Sequence, residues 1–141
     1  TLSPIPGFRD WFSYLENAKI KNILGDVPIE NISLLKSPDL QVGDPRIVSN
    51  KVSITKLAAH YLMNEKNNKQ LPINDVCRFH LGNGAIIDDI IINANVSEVG
   101  LNRSFGVMVN YLYELKNIEK NHEEYINNKT IIVSDKLKKI I

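Results

Sequence analysis

The apolar positions of this chain fall into helical and strand-like patterns, separated by proline- and glycine-rich breaks. It opens on Ser3-Pro4-Ile5-Pro6-Gly7. Proline fixes φ and pushes the preceding residue toward extended conformations, so this stretch reads as the end of a strand or an extended loop. Phe8, Trp11, Phe12 and Leu15 then recur at helical spacing, and Leu24-Gly25 supplies a stop. Pro28, Pro38, Gly43 and Pro45 interrupt residues 26–50, where the pattern predicts loops and one short helix near Ile32–Leu35. Ile54, Leu57, Ala58, Tyr61 and Leu62 follow i, i+3, i+4, i+7, i+8 and predict a helix with one apolar stripe, with Ser53 as its N-cap. Residues 64–70 are polar and read as a loop.

Asn74 to Leu81 reads as one or two helical turns, capped by Asn74 and ended by Gly82-Asn83-Gly84. The isoleucines of 85–94 argue for a strand, and Gly106 to Tyr113 is a second strand. Between them Ser97 to Arg103 forms a short helical connection with Ser97 as its cap. That crossover is too short for a secure parallel unit, so an antiparallel pair is expected. A polar helix over 117–127, a short strand over 130–133 and a terminal helix from Ser134 complete an α/β (α+β) pattern without internal repeats.

Composition bounds the function classes. The 141 residues suit one domain. A net charge of +1 gives no electrostatic case for nucleic acid or an anionic membrane. No apolar run approaches a membrane span, and the first residues do not resemble a signal peptide. The single Cys77 excludes an internal disulfide and fits a reducing compartment. The chain lacks an initiator Met and begins on a dense turn signal, so it is expected to be part of a longer protein.

The residues alone offer little specific chemistry. Ser3 lacks the glycine-flanked context of a nucleophile elbow. Gly82-Asn83-Gly84 has no third glycine at the dinucleotide-binding spacing. His60, His80 and His122 include no i, i+4 metal-binding pair, and His60 and His122 read as solvated surface residues. Asp88 and Asp89 are adjacent, so on a regular strand they point to opposite faces and form no acid/base pair. Tyr111 and Tyr113 share one strand face and read as core or interface aromatics, and Cys77 as a small buried apolar residue.

The order of three segments goes further. Leu2-Ser3-Pro4-Ile5-Pro6-Gly7-Phe8, then Arg78-Phe79-His80-Leu81-Gly82-Asn83-Gly84-Ala85, then Met108-Val109-Asn110-Tyr111-Leu112-Tyr113 resemble the malonyl-CoA decarboxylase family. The likeness extends to Asn95-Val96-Ser97 with Gly100-Leu101, to Ser104 with Gly106, and to Ile118-Glu119 with Asn121-His122-Glu123, covering nearly the whole chain in order. The family often has proline where Asp75 stands, a difference that touches a helix start.

The resemblance implies the C-terminal portion of an acetyltransferase-like (GNAT) fold, a mixed sheet flanked by helices. It implies conversion of malonyl-CoA to acetyl-CoA and carbon dioxide with no metal or organic cofactor. The family's catalytic serine and histidine fall on Ser3 and His80, and its implicated tyrosine is placed on Tyr111. His80 is then expected to act as general acid/base, with Ser3 as its hydrogen-bonding partner and Tyr111 as a wall or a substrate hydrogen bond. Malonyl-CoA is the expected partner, with no nucleic acid or membrane. The family's N-terminal helical domain and CoA-pyrophosphate loop are expected upstream of Thr1, so 141 residues alone are expected to be poorly active or inactive. A cytoplasmic location is the default, and a homo-oligomer is one assembly the family allows. An acyltransferase on the same fold and a non-catalytic remnant or interaction subunit are the alternatives.

Overall fold

A computed structural model describes all residues, 1–141. Three strands, β1 (Leu2–Pro4), β2 (Ile86–Ile91) and β3 (Met108–Leu112), form one sheet in the order β1-β3-β2. Both pairings are antiparallel. The expected β2–β3 pair is present, and the proline-rich opening adds β1 to the other side of β3. Ser3 stands opposite Val109. Residues directly opposite in an antiparallel pair project from the same face, and that face recurs every second residue. Ser3 therefore shares a face with Val109, Tyr111 and Tyr113.

On β2, Ile87 opposes Tyr111 but Asp89 opposes Asn110, so Asp88 is the extra residue of a bulge. The bulge resets the alternation and returns both Ile87 and Ile90 to the buried face. It also corrects the expectation that Asp88 and Asp89 face apart. One ammonium, Lys136 Nζ, reaches both, at 3.2 Å from Asp88 Oδ2 and 3.8 Å from Asp89 Oδ2.

The first helical stretch is two helices, α1 (Phe8–Ser13) and α2 (Asn17–Leu24), rather than one. A continuous helix advances about 100° per residue, which would turn Leu24 roughly 180° away from Leu15. The break at Tyr14–Glu16 lets Leu15, Ile20 and Leu24 all enter the core. Residues 26–50 hold more helix than expected: α3 (Ile29–Ser33), a 3-10 turn (Leu34–Lys36) and α4 (Pro45–Ser49). Asp44 caps α4 by accepting from Arg46 N at 3.0 Å, ahead of Pro45 in the first turn, where proline needs no donor.

The helix α5 (Lys51–Asn64) starts ahead of the expected Ser53 cap. Asn50 precedes it, with its amide turned back to donate to Arg46 O at 2.8 Å. Then come α6 (Asp75–Gly82), α7 (Glu98–Ser104), α8 (Ile118–Asn128) and α9 (Asp135–Lys138). The caps Asn74 and Ser97 read from sequence hold, accepting from Cys77 N at 2.9 Å and Gly100 N at 3.1 Å. The expected strand over 130–133 reduces to one parallel bridge between Val133 and Ile87.

The core runs from Phe8, Phe12 and Phe105 through the α5 stripe to Ile87, Val109 and Tyr111 on the sheet. His60 is not a solvated surface residue: its ring stacks on Trp11, and Nε2 lies 3.2 Å from Glu65 Oε1. His122 is exposed as expected, with Nδ1 2.6 Å from Gly82 O. No helix is long and apolar enough to cross a membrane.

Candidate active site

The helix α6 buries Cys77, His80 and Leu81, at i, i+3 and i+4, so the His80 imidazole lies on its inward face. The turn after α6 requires glycine. Gly84 has φ 90°, and a Cβ there would stand 2.4 Å from Ile118 O. That turn brings the chain back into β2 beside β3, and β3 with the residue just past its end carries the two tyrosines against the His80 ring.

Three contacts define the site. Ser3 Oγ lies 3.0 Å from His80 Nε2. Tyr113 Oη lies 2.6 Å from His80 Nδ1. The Tyr111 ring stacks on the imidazole, with centroids 4.4 Å apart and planes 18° from parallel. Ser3 and His80 are only 5% and 8% exposed. Phe79 stands edge-on to His80 with centroids 5.2 Å apart, and at 64% exposure forms an apolar rim.

Burial holds the His80 pKa below the ordinary histidine value, with the Thr1 ammonium adding to the effect. The ring is therefore neutral at pH 7 and carries one proton. Both partners are hydroxyls, which donate or accept, so either tautomer keeps both hydrogen bonds. With the proton on Nδ1, Ser3 donates to Nε2. With the proton on Nε2, Tyr113 donates to Nδ1 and the Ser3 hydrogen is free to point outward. The arrangement can thus pass a proton through Ser3 in either direction.

Ser3, His80 and Tyr111, separated by 77 and 31 residues in the sequence, come together in one cluster. Of the two expected placements of Tyr111, a wall or a substrate hydrogen bond, the geometry matches the wall. Its side chain is fully buried, and its hydroxyl has no hydrogen-bond partner. Burial first, and the neighbouring Cys77 thiol second, push that phenol far above its ordinary pKa. The tyrosine whose hydroxyl meets His80 is Tyr113, which the strand pattern alone presents as a core or interface aromatic. The signal was available: both tyrosines share one strand face, and the later one lies nearer the strand end, where a hydroxyl stays within reach of solvent. No three His, Cys, Asp or Glu side chains converge as a metal site.

Comparisons with known proteins agree with this architecture. The sequence pattern of the malonyl-CoA decarboxylase C-terminal domain matches residues 1–141. The mitochondrial malonyl-CoA decarboxylase of Rattus norvegicus is 31% identical over 159 residues, covering 100% of this chain and 32% of the rat protein. The mitochondrial enzyme of Anser anser anser is also 31% identical, covering 97% of this chain and 31% of the relative. Among solved structures, malonyl-CoA decarboxylase from Agrobacterium vitis superposes with a TM-score of 0.83 at 31% identity, covering 99% of this chain and 34% of the other. The Rhodopseudomonas palustris structure gives 0.80 at 32% identity, covering 99% and 32%. The chain thus spans about a third of the length of these relatives. Matched over its whole length, it belongs to the malonyl-CoA decarboxylase family, in the region of that family's C-terminal domain.

Proposed function

We propose that this chain supplies the proton-transfer machinery for decarboxylation of malonyl-CoA to acetyl-CoA. The observation that carries this reading is the Ser3 Oγ–His80 Nε2 contact, backed by Tyr113 at the other ring nitrogen. Breaking the bond between the carboxylate carbon and the methylene carbon releases carbon dioxide. The electron pair passes into the thioester as an enolate, and the enolate carbon then takes up one proton. Groups that favour this charge distribution over the bound substrate accelerate the step. The Ser3 hydroxyl delivers the proton, His80 Nε2–H replaces it while Nδ1 takes the Tyr113 phenol proton, and solvent reprotonates Tyr113, so the ring stays neutral and each turnover consumes one proton overall. Tyr113 holds the His80 ring and follows its tautomer.

Written this way, the reaction calls on no metal and no organic cofactor. Malonyl-CoA is the substrate, and we place the CoA-phosphate contacts in the region that accounts for the rest of the relatives' length. A cytoplasmic location is the default for this reading. The mitochondrial names of the rat and goose relatives mark the alternative, and cell fractionation decides between them.

The test is product analysis with malonyl-CoA and the purified full-length protein, this chain joined to the region that accounts for the rest of the relatives' length. Equimolar carbon dioxide and acetyl-CoA are expected. An acylated amine or alcohol without carbon dioxide would indicate an acyltransferase, and no reaction with a full complement of the domain would favour a non-catalytic role. His80→Ala is expected to lower kcat by roughly 10²–10⁴-fold, the usual worth of a positioned acid/base group, with little change in KM. An unchanged kcat overturns the assignment.

A further inference from the structure

We propose that Asn74 is a positioning residue that fixes the helix bearing His80 against the segment bearing Ser3. Both ends of its side-chain amide are engaged. Oδ1 accepts from Cys77 N at 2.9 Å and caps α6. Nδ2 donates to Pro6 O at 3.0 Å, across 68 residues of sequence. The side chain is only 2% exposed, so water does not replace either partner. Exchanging the amide's oxygen and nitrogen would break both bonds, so its orientation is set by the network.

These two hydrogen bonds and the Ser3–His80 contact close a ring. On one side, Asn74 leads through the rigid turns of α6 to His80. On the other, Pro6 leads back through Ile5 and Pro4 to Ser3. That segment is stiff, because two prolines fix φ at alternate positions and Ile5 is fully buried. Few free torsions therefore separate Pro6 O from Ser3 Oγ. Holding Pro6 O at the start of α6 sets where the Ser3 hydroxyl meets the His80 ring, two turns further along. Displacements of about 1 Å in such a pair cost on the order of 10²-fold in rate.

The inference rests on the proposed decarboxylase reading, and the experiment separates the two. Asn74→Ala removes cap and clamp together. Asn74→Ser restores the cap, since serine caps helices as well as asparagine does, but withdraws the 3.0 Å donor from Pro6 O and leaves it only the long 3.5 Å contact from Tyr61 Oη. In the full-length protein with malonyl-CoA, Asn74→Ala is expected to lower both the melting temperature and kcat. Asn74→Ser is expected to regain the melting temperature while kcat stays at least tenfold down and KM within twofold.

Recovery of kcat in step with melting temperature would reduce Asn74 to a helix cap and overturn the proposal. Asn74→Thr, a second capping residue, serves if the serine variant does not fold. Failure of both to regain stability contradicts the division of the amide's two ends and also overturns it. If the unaltered full-length protein releases no carbon dioxide, the functional reading fails, and the 15N shifts of the His80 ring still test the clamp. The Nε2 shift should report a lost Ser3 hydrogen bond in Asn74→Ser, and an unchanged shift overturns the proposal.

Discussion

Tyr113 Oη lies 2.6 Å from His80 Nδ1, on the ring nitrogen remote from Ser3. A carboxylate there could only accept from a neutral ring and would fix its proton on Nδ1. A phenol accepts or donates, so it supports the imidazole in both neutral tautomers. That suits the proton delivery proposed for the Ser3–His80 pair. The serine reaches the ring from β1 and the tyrosine from the residue just past β3, the two strands being joined by the pairing that sets Ser3 opposite Val109.

Removing the Tyr113 hydroxyl should therefore impair turnover rather than binding. Tyr113→Phe leaves Nδ1 without its partner while keeping the ring. One lost hydrogen bond of about 1.4 kcal/mol corresponds to roughly a tenfold lower kcat. Steady-state kinetics with malonyl-CoA should show that fall with KM nearly unchanged, and wild-type kcat in Tyr113→Phe would remove Tyr113 from the mechanism.

Tyr111 meets His80 with its ring face, not its hydroxyl. Its Oη is buried without a partner, a state that costs about 1–3 kcal/mol. Tyr111→Phe should raise the melting temperature, since it removes that orphan and keeps the stack on His80. Tyr111→Leu fills much of the volume but removes the stack, and should lower kcat well below the phenylalanine variant. The His80 ring protons should also lose their upfield ring-current shift. Equal kcat in the two variants would show that the stack is incidental.

The backbone turn behind the site makes a separate prediction about stability. Gly84 sits at φ 90° with Ile118 O where a Cβ would fall. Asn121 Nδ2 donates to Gly84 O at 3.1 Å, so the same turn is also tied to α8. An alanine must shift the α8 start or break the turn, because the obstacle is backbone. Strain at such a site costs on the order of 1–3 kcal/mol. Thermal unfolding of Gly84→Ala should show a drop of several degrees, and an unchanged midpoint would mean that the turn relaxes freely.

What the sequence made legible follows from how local each cause was. The caps Asn74 and Ser97, the α5 stripe and the two long strands depend on neighbours within a turn or a strand, and pattern reading found them. The division between α1 and α2 depends on which partner each half packs against, which a single helical stripe does not encode. The Asp88 bulge was hidden for the same reason: Ile86 to Ile91 reads as a regular strand until its register with β3 is known. Ser3 and His80 drew attention through resemblance, since neither residue carries a local catalytic context. The role of Tyr113 is not legible because periodicity gives it the same face as Tyr111 and does not say which hydroxyl reaches the histidine.

The depressed His80 pKa fixes the sign of a pH effect on both activity and stability. Burial disfavours the imidazolium, so the folded protein titrates His80 below the ordinary value of about 6.5 that the unfolded chain shows. The neutral ring is the form that hydrogen-bonds Ser3 in either tautomer. As pH falls through the lowered folded-state pKa, the ring gains a second proton, and Nε2 can no longer accept from Ser3. The acid limb of log kcat/KM should therefore bend below pH 6.5, and it should vanish in His80→Asn, whose residual rate lacks that group. Stability follows the same direction. The unfolded chain binds the proton first, so the His80 contribution is fully present above about pH 6.5 and declines as pH drops from there toward the folded-state pKa. Unfolding midpoints measured at pH 7.5 and 5 should differ less in His80→Asn than in the unaltered protein. An acid limb centred above pH 6.5 would mean that a carboxylate stabilises the imidazolium, contrary to the two-hydroxyl environment of this ring.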